Sequence, residues 1–487
     1  MIYQLKPERL WYYFAEVLKI PRPSKKEEKI IEYLVIFGKT HHLETIQDQV
    51  GNVVIRKPAS PGLENAPSVC LQGHVDMVCE KDAEVEHDFE KDPIQTKIED
   101  GWLMAKGTTL GADNGIAVAT MLALLEAKDI VHGPLECLFT IDEETGLTGA
   151  FGLDPTILKS RILLNLDSED DGEFFIGCAG GKDTVIELQV KKDDIPEGYK
   201  TLRMKVSGLQ GGHSGDDIHR NRGNANKILN RFLWESAVKY GIRVSSFDGG
   251  NLRNAIAREA VGIFLVQAEK AQSVFSYADQ YLKDLRFEFR VSEPDLKIEI
   301  EEFETPSFIL SKATQNQLLN ALYACPHGVM AWSQDIPGFV ETSTNLASVK
   351  MQNGGRIRIA TSQRSSIESA KDDICNMVAS VFRLTDASIE HSDGYPGWAP
   401  NPNSKVLELC IQSYESLFGQ KPVVRAIHAG LECGLIGDKY PGMDMISYGP
   451  TMRGVHSPTE RLEISTVEKF WILTLDLLGK IANQKQV

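Results

Sequence analysis

Five short stretches of this sequence bring together residue types that bind cations or carry protons. They hold His74 and Asp76 in "QGHVDMV", Asp113 in "GTTLGADNG", Asp142, Glu143 and Glu144 in "IDEETG", Asp167 in "LLNLDSED", and His456 in "GVHSP". His74 and Asp76 are two apart, so on a strand they point to the same side. A carboxylate beside an imidazole accepts its second ring N–H, fixes the tautomer and raises its basicity toward a metal. The pair also occurs as plain structure. Asp113 sits in a glycine-rich bend before a helix, where it serves equally well as an N-cap or as an aimed carboxylate. A lone loop histidine such as His456 is ordinary. Two histidines with three carboxylates at one sheet edge, however, suit a pair of zinc-like ions that share a bridging carboxylate, activate a water and polarise a carbonyl. The adjacent Glu143 and Glu144 point to opposite sides of an extended backbone, so they divide tasks in one site only if the chain turns there, and Gly146 is the expected turn. Residue type alone does not separate Asp142 from Glu143 as a proton carrier.

The elements that must position these residues follow from the apolar runs. "SVCLQGHVDMV", "PLECLFTID" and "RILLNLDSED" are short strand-like runs that each end in His, Asp or Glu, and "GIAVATMLALLEA" at 115–127 has helical length and spacing. Strands alternating with helices predict an α/β fold with a mostly parallel sheet flanked by helices. Ligand sites in such sheets lie outside the carboxyl ends of the strands, where these polar clusters fall. From about Lys182 the texture changes to alternating strands and helices of an inserted α+β segment. It includes "NLASVKMQN" and "RIRIATSQR", joined near Gly354 and Gly355 as a hairpin, and a loose suggestion of two similar halves. The expected division is therefore 1–182 with 392–487 as one domain and 183–391 as the insert. The crossing lies near "DGYPGWAPNPNS", followed by a helix at 404–418 and a last one from about Ile464.

At 487 residues the chain is too long for one ordinary core. Its 68 acidic and 52 basic residues give a net charge of −16, which makes nucleic acid and anionic membranes poor partners. The eight cysteines lack any CxxC pair, which predicts reduced, mostly buried thiols rather than a disulfide framework or zinc knuckle. The start "MIYQLKPERLWYYF" has no basic segment leading into an apolar one, so the expectation is a soluble, unexported, cytoplasmic chain.

The set "GHVDM", "GTTLGADNG", "DEETG", "NLDSE", "GLQGGHSG" and "GVHSP" resembles the M20-type cocatalytic metallopeptidases. Within them it is similar to the bacterial dipeptidases that cleave Xaa-His substrates, and this similarity extends to "GCAGGKD", "NLRNAIAREA", "VETSTN" and "HAGLECGL". The resemblance implies two divalent ions per subunit, most often zinc with cobalt or manganese as alternatives, held by His74 and Asp167 on one, Glu144 and His456 on the other, and Asp113 between them. It implies Asp76 as the residue orienting His74, Glu143 as the general base, and a cis peptide from Asp113 to Asn114. The insert becomes a lid that also contributes to a homodimer. "GHVDM" replaces a common "AHLDM", and Asp142 stands where some relatives have Thr, but neither change removes a ligand.

The activity implied is hydrolysis of dipeptides with a free N-terminus, preferring Xaa-His and including carnosine-like substrates. His213 in "GGHSG" is then the lid group for the tetrahedral oxyanion, with a glycine-flanked surface turn as the plainer reading. A dipeptidase must hold both substrate termini. Arg364 and Asn345 are candidates for the carboxylate and the scissile carbonyl region, and Glu432 with His428 nearby for the free amine. A tripeptidase or an N-acyl amino acid deacylase of the same type shares every ligand. A metal-binding scaffold without catalysis predicts damage at Glu143 or the ligands, and none is visible. Histidines 41, 42, 87, 132, 219, 327 and 391 read as surface or structural.

Overall fold

The computed structural model describes residues 2–352 and 354–484. The chain forms two compact units, one of Met1–Gly177, Pro400–Ala426 and Leu431–Val487, the other of Cys178–Ala399 and Ile427–Gly430. The boundary expected at 182 falls inside the strand Gly180–Gln189, so the chain passes into the second unit earlier. It also leaves later than 391, because Tyr395 and Trp398 still make backbone hydrogen bonds to Gly181 and Cys178.

The first unit is built on an eight-stranded sheet. Its centre is parallel: Val69–His74 lies between Leu135–Thr140 and Ile162–Asn165, and Ile162–Asn165 pairs with Asp444–Ser447. Its flanks are antiparallel, through Glu44–Gln47 and Val53–Lys57 on one side and Glu173–Cys178 on the other. Val69–His74 and Leu135–Thr140 are buried at every position, as strands covered on both faces must be. The helix Ala112–Glu126 is apolar nearly all round and packs on Val69–His74 and on the helix Glu8–Val17. Gly73 makes this approach possible, since a Cβ there would stand 2.3 Å from Asn114 Oδ1 and 2.7 Å from the Ala117 Cβ. The register sets His74 beside Thr140 and Gln72 beside Asn165, which brings the polar residues after these strands to one sheet edge.

The second unit holds a nine-stranded sheet in which two βαββαβ halves supply eight strands and Gly328–Trp332 pairs beside Val340–Gln352 as the ninth. One runs Tyr199–Ser207, Ala225–Tyr240, Arg243–Gly249, Ala260–Gln267, Ala271–Glu288 and Lys297–Glu302. The other begins with Gly180–Gln189 and resumes with Lys312–Ala324, Val340–Gln352, Arg356–Ser365, Glu368–Phe382 and Ser388–His391. In each half the first strand lies between the fourth and the third, and the second strands of the two halves meet through Asp248–Lys350 and Gly249–Val349. One half is thus inserted after the first strand of the other, which explains why the internal repeat shows so faintly along the sequence. A single apolar cluster runs beneath both halves, from Phe232 and Phe264 to Ile357 and Phe382.

No disulfide forms among the described residues, and every cysteine but Cys79 is buried. Among the described residues no helix is long and apolar enough to cross a membrane.

Candidate dimetal and active site

His74 ends a buried strand, and its ring is held from both sides. Nδ1 lies 3.2 Å from Asp76 Oδ1, while Nε2 lies 3.1 Å from Asp113 Oδ1 and 3.4 Å from Asp167 Oδ1. The other oxygen of Asp113 stands 3.1 Å from His456 Nε2, and that same nitrogen is 3.0 Å from Glu144 Oε2. Asp113 therefore presents one oxygen to each histidine. His74, Asp113 and Glu144 offer ligand atoms within 4.8 Å of one another, and the peptide from Asp113 to Asn114 is cis.

The turn that separates Glu143 from Glu144 is not made by Gly146, which lies within the short helix Glu143–Gly146. It is made by Asp142 and Leu147, with φ of 46° and 56°. An aspartate tolerates this left-handed conformation because its short polar side chain bonds locally. Asp142 Oδ1 accepts from Thr145 Oγ1 at 2.5 Å, Oδ2 accepts from Thr148 Oγ1, and its N–H donates to Glu27 Oε1 at 3.0 Å. Asp142 thus shapes the turn that presents its two neighbours. Asp76 completes the arrangement: Oδ1 also accepts from the Glu143 N–H at 3.1 Å, and Oδ2 accepts from Ser24 Oγ at 2.7 Å and the Glu144 N–H at 3.3 Å. One carboxylate so orients the imidazole and anchors the turn that carries both glutamates.

Burial and crowding set the proton affinities of these groups. Burial, with Asp167, Glu432 and Glu144 adding and His74 opposing, holds Glu143 well above the usual carboxylate range. Burial pushes Asp167 up to about 6 against His74. Burial also acts to raise Asp76 and Asp113, but the histidines beside them win and hold both low, Asp76 at about 2. Asp113 and Glu144 push His456 up to about 11. Glu432 is fully buried, its Oε2 accepting from Gln72 Nε2 at 2.6 Å and Thr140 Oγ1 at 2.7 Å, its Oε1 without a hydrogen-bond partner. Burial, opposed by His74, pushes it up to about 7.

The second unit assembles its own polar cluster. Arg364 is buried rather than solvated; Nη1 donates to Tyr395 Oη at 3.0 Å, Nη2 lies 3.5 Å from His213 Nε2, and Nε has no hydrogen-bond partner. His213 Nδ1 accepts from the Asp216 N–H at 3.2 Å and lies 3.4 Å from the Asp216 carboxylate. His428 meets Ser343 Oγ at 2.7 Å, and burial followed by the Arg364 charge pushes it down to about 3. Asn345 donates to the carbonyl of Ala255 at 2.8 Å and leaves Oδ1 buried without a partner. His428 and Glu432, expected to act side by side, belong to different units.

Sequence reasoning passed over Glu460, Arg22, Gln72 and Tyr395, all hydrogen-bonded near these groups. Gln72, two positions before His74, and Glu460, four after His456, carried a signal in their spacing; Arg22 and Tyr395 come from segments whose proximity is set by folding.

Comparison with known proteins gives the family. The cytosol non-specific dipeptidase of Escherichia coli (strain K12) is 44% identical over 478 residues, covering 98% of each chain. The crystal structure of aminoacylhistidine dipeptidase from Vibrio alginolyticus superposes with a TM-score of 0.94 at 44% identity, covering 99% of this chain and 98% of that one. Aminopeptidase PepT from Bacillus cereus, at 16% identity and a TM-score of 0.58 over 98% of this chain and 100% of its own, shares the fold. Residues 70–477 match peptidase family M20/M25/M40, and the chain belongs to that family.

Proposed function

We propose that this chain hydrolyses dipeptides at a centre of two divalent ions. The observation that carries the reading is Asp113, whose two oxygens each stand 3.1 Å from a different histidine. Ligand atoms about 2.0–2.1 Å from one tetrahedral ion lie roughly 3.3 Å apart, and the spacings among His74, Asp167, Asp113, Glu144 and His456 fall at 3.0–3.4 Å. Glu144 Oε1 is buried without a donor, as an oxygen facing a cation would be. We assign His74 and Asp167 to one ion, Glu144 and His456 to the other, and Asp113 to both. When bound, the ions supply Lewis acidity toward the scissile carbonyl and lower the pKa of the attacking water. Zinc suits this N/O set, and cobalt or manganese bind the same donors.

Glu143 takes the proton from that water and passes it to the leaving amine; its raised affinity for a proton suits the second transfer. Asp76 keeps the His74 proton on Nδ1, so that Nε2 would offer its lone pair to a cation. We assign Arg364 and Asn345 to the substrate's carboxylate and scissile region, where a planar guanidinium binds a carboxylate bidentately, and move His428 to them from the role expected beside Glu432, because it shares their unit and feels the Arg364 charge. His213 is assigned to the tetrahedral oxyanion and Glu432 to the free amine. The E. coli relative's name says non-specific and the Vibrio one's says aminoacylhistidine; we favour a preference for Xaa-His. We also assign the chain to the cytosol, after the E. coli relative's name, the first unit to catalysis, and the second to lid and homodimer contacts.

The test is Glu143→Ala together with a substrate panel. The variant should lose hydrolysis while retaining two ions per chain; retained activity would remove Glu143 as the base. Across carnosine, other dipeptides, a tripeptide and an acetylated amino acid, turnover should be fastest on Xaa-His. Faster turnover of the acetylated amino acid would assign the chain to the deacylases instead.

A further inference from the structure

We infer that Glu460 is a positioning residue that fixes the carboxylate of Asp113 and locks its loop to the loop of His456. The inference rests on the dimetal reading. Glu460 is buried, and its carboxylate collects four successive backbone N–H groups. Oε2 accepts from Leu110 at 2.7 Å and Gly111 at 2.9 Å, and Oε1 from Ala112 at 2.8 Å and Asp113 at 3.3 Å. The loop curls round one anion as backbone nests do. Gly111, at φ 69°, gives the curl its left-handed step.

From the other side the fully buried Arg22 donates to the Gly111 carbonyl and, at 2.9 Å each, to the carbonyls of Val75 and Asp76. The strand end carrying His74 and the loop carrying Asp113 are thus held by one guanidinium. Glu460 adds the third segment, because its own N–H closes the turn directly after His456, donating to the Ser457 carbonyl at 3.0 Å. A single capping hydrogen bond from Ser or Asn would suffice to start a helix. A buried carboxylate with four donors costs far more desolvation than such a cap and leaves the Asp113 backbone without freedom. What that rigidity sets is the facing of the two Asp113 oxygens toward His74 and His456.

The test compares wild type, Glu460→Gln, Glu460→Asp and the distant core variant Leu477→Ala in zinc affinity, kcat, KM and thermal stability. Gln turns an amide toward two N–H donors, whereas Asp keeps the charge at shorter reach. Both Glu460 variants should bind zinc 10–100-fold more weakly, the usual effect of removing a group behind the ligands. Their kcat at saturating zinc should fall by a similar factor with KM within about twofold, and Asp should recover more than Gln. Leu477→Ala should lose stability and keep zinc affinity and kcat. Wild-type zinc affinity and kcat in either Glu460 variant, or losses that merely track stability as in Leu477→Ala, overturn the inference. Failure of both variants to fold overturns it too, since Glu460 would then be scaffold. Wild type binding fewer than two ions would instead refute the dimetal reading on which it rests.

Discussion

Replacing Asp76 by Asn changes one atom and tests how the site is wired. The carboxylate accepts four hydrogen bonds, from His74 Nδ1, Ser24 Oγ and the N–H groups of Glu143 and Glu144. An amide has one acceptor oxygen. If that oxygen takes the place of Oδ1, His74 and Glu143 stay bonded, Ser24 reverses its hydroxyl, and the Glu144 N–H is left facing an NH2. An unsatisfied buried donor of this kind costs about 1–3 kcal/mol. If the amide turns the other way, its NH2 faces His74 Nδ1, the imidazole proton moves to Nε2, and the lone pair toward Asp113 and Asp167 is lost. Either way the imidazole loses the negative partner that strengthens it as a ligand. We expect zinc affinity and kcat to fall 10–100-fold, equivalent to about 1.4–2.7 kcal/mol, with the fold retained. Isothermal titration of the ion-free variant with zinc gives the affinity, and steady-state hydrolysis of an Xaa-His dipeptide gives kcat. Wild-type values for both would refute the assignment of Asp76 as the residue that orients His74.

Other expectations concern the ions, the second unit and pH. Removing the ions with a chelator should lower the thermal midpoint and restoring zinc should raise it, saturating at two ions per chain; each site contributes about 2.7 kcal/mol at a hundredfold excess over Kd. An unchanged midpoint would mean that the carboxylate cluster holds no ion. Arg364→Lys keeps the charge but loses the planar fork that Tyr395 steadies, so KM should rise roughly tenfold or more with a smaller change in kcat, and an unchanged KM would free Arg364 from the substrate carboxylate. His428 is held neutral, its folded pKa of about 3 lying below that of the unfolded chain near 6.5. Its contribution is therefore complete above pH 6.5 and is lost as pH falls toward 3, by about 2–3 kcal/mol between pH 6.5 and 4.5. His428→Asn should flatten the fall in thermal midpoint over that range; parallel curves for variant and wild type would contradict the assignment.

Much of this molecule is legible in one dimension. Apolar runs of strand length locate Val69–His74, Leu135–Thr140 and Ile162–Asn165, and the acids and histidines that follow them must then gather at the carboxyl edge of a parallel sheet. The two-residue spacing of His74 and Asp76 puts both on one side of the chain. Residue types along a strand are a local property, and the period of the backbone converts them directly into geometry. What lay beyond the sequence depends on which distant backbone a side chain meets. The turn at "DEETG" is made at Asp142 and not at the glycine: Thr145 and Thr148 brace its carboxylate locally, but its N–H is held by Glu27, 115 residues away. The spacing of Glu460 from His456 places it near the site, but its task shows only when folding brings Leu110–Asp113 against it. The repeat in the second unit is hidden because one half interrupts the other after its first strand, and only strand pairing restores its order. Local spacing determines which residues can act together; tertiary structure decides which backbone holds them in place, because hydrogen bonds between segments hundreds of residues apart leave no period in the sequence.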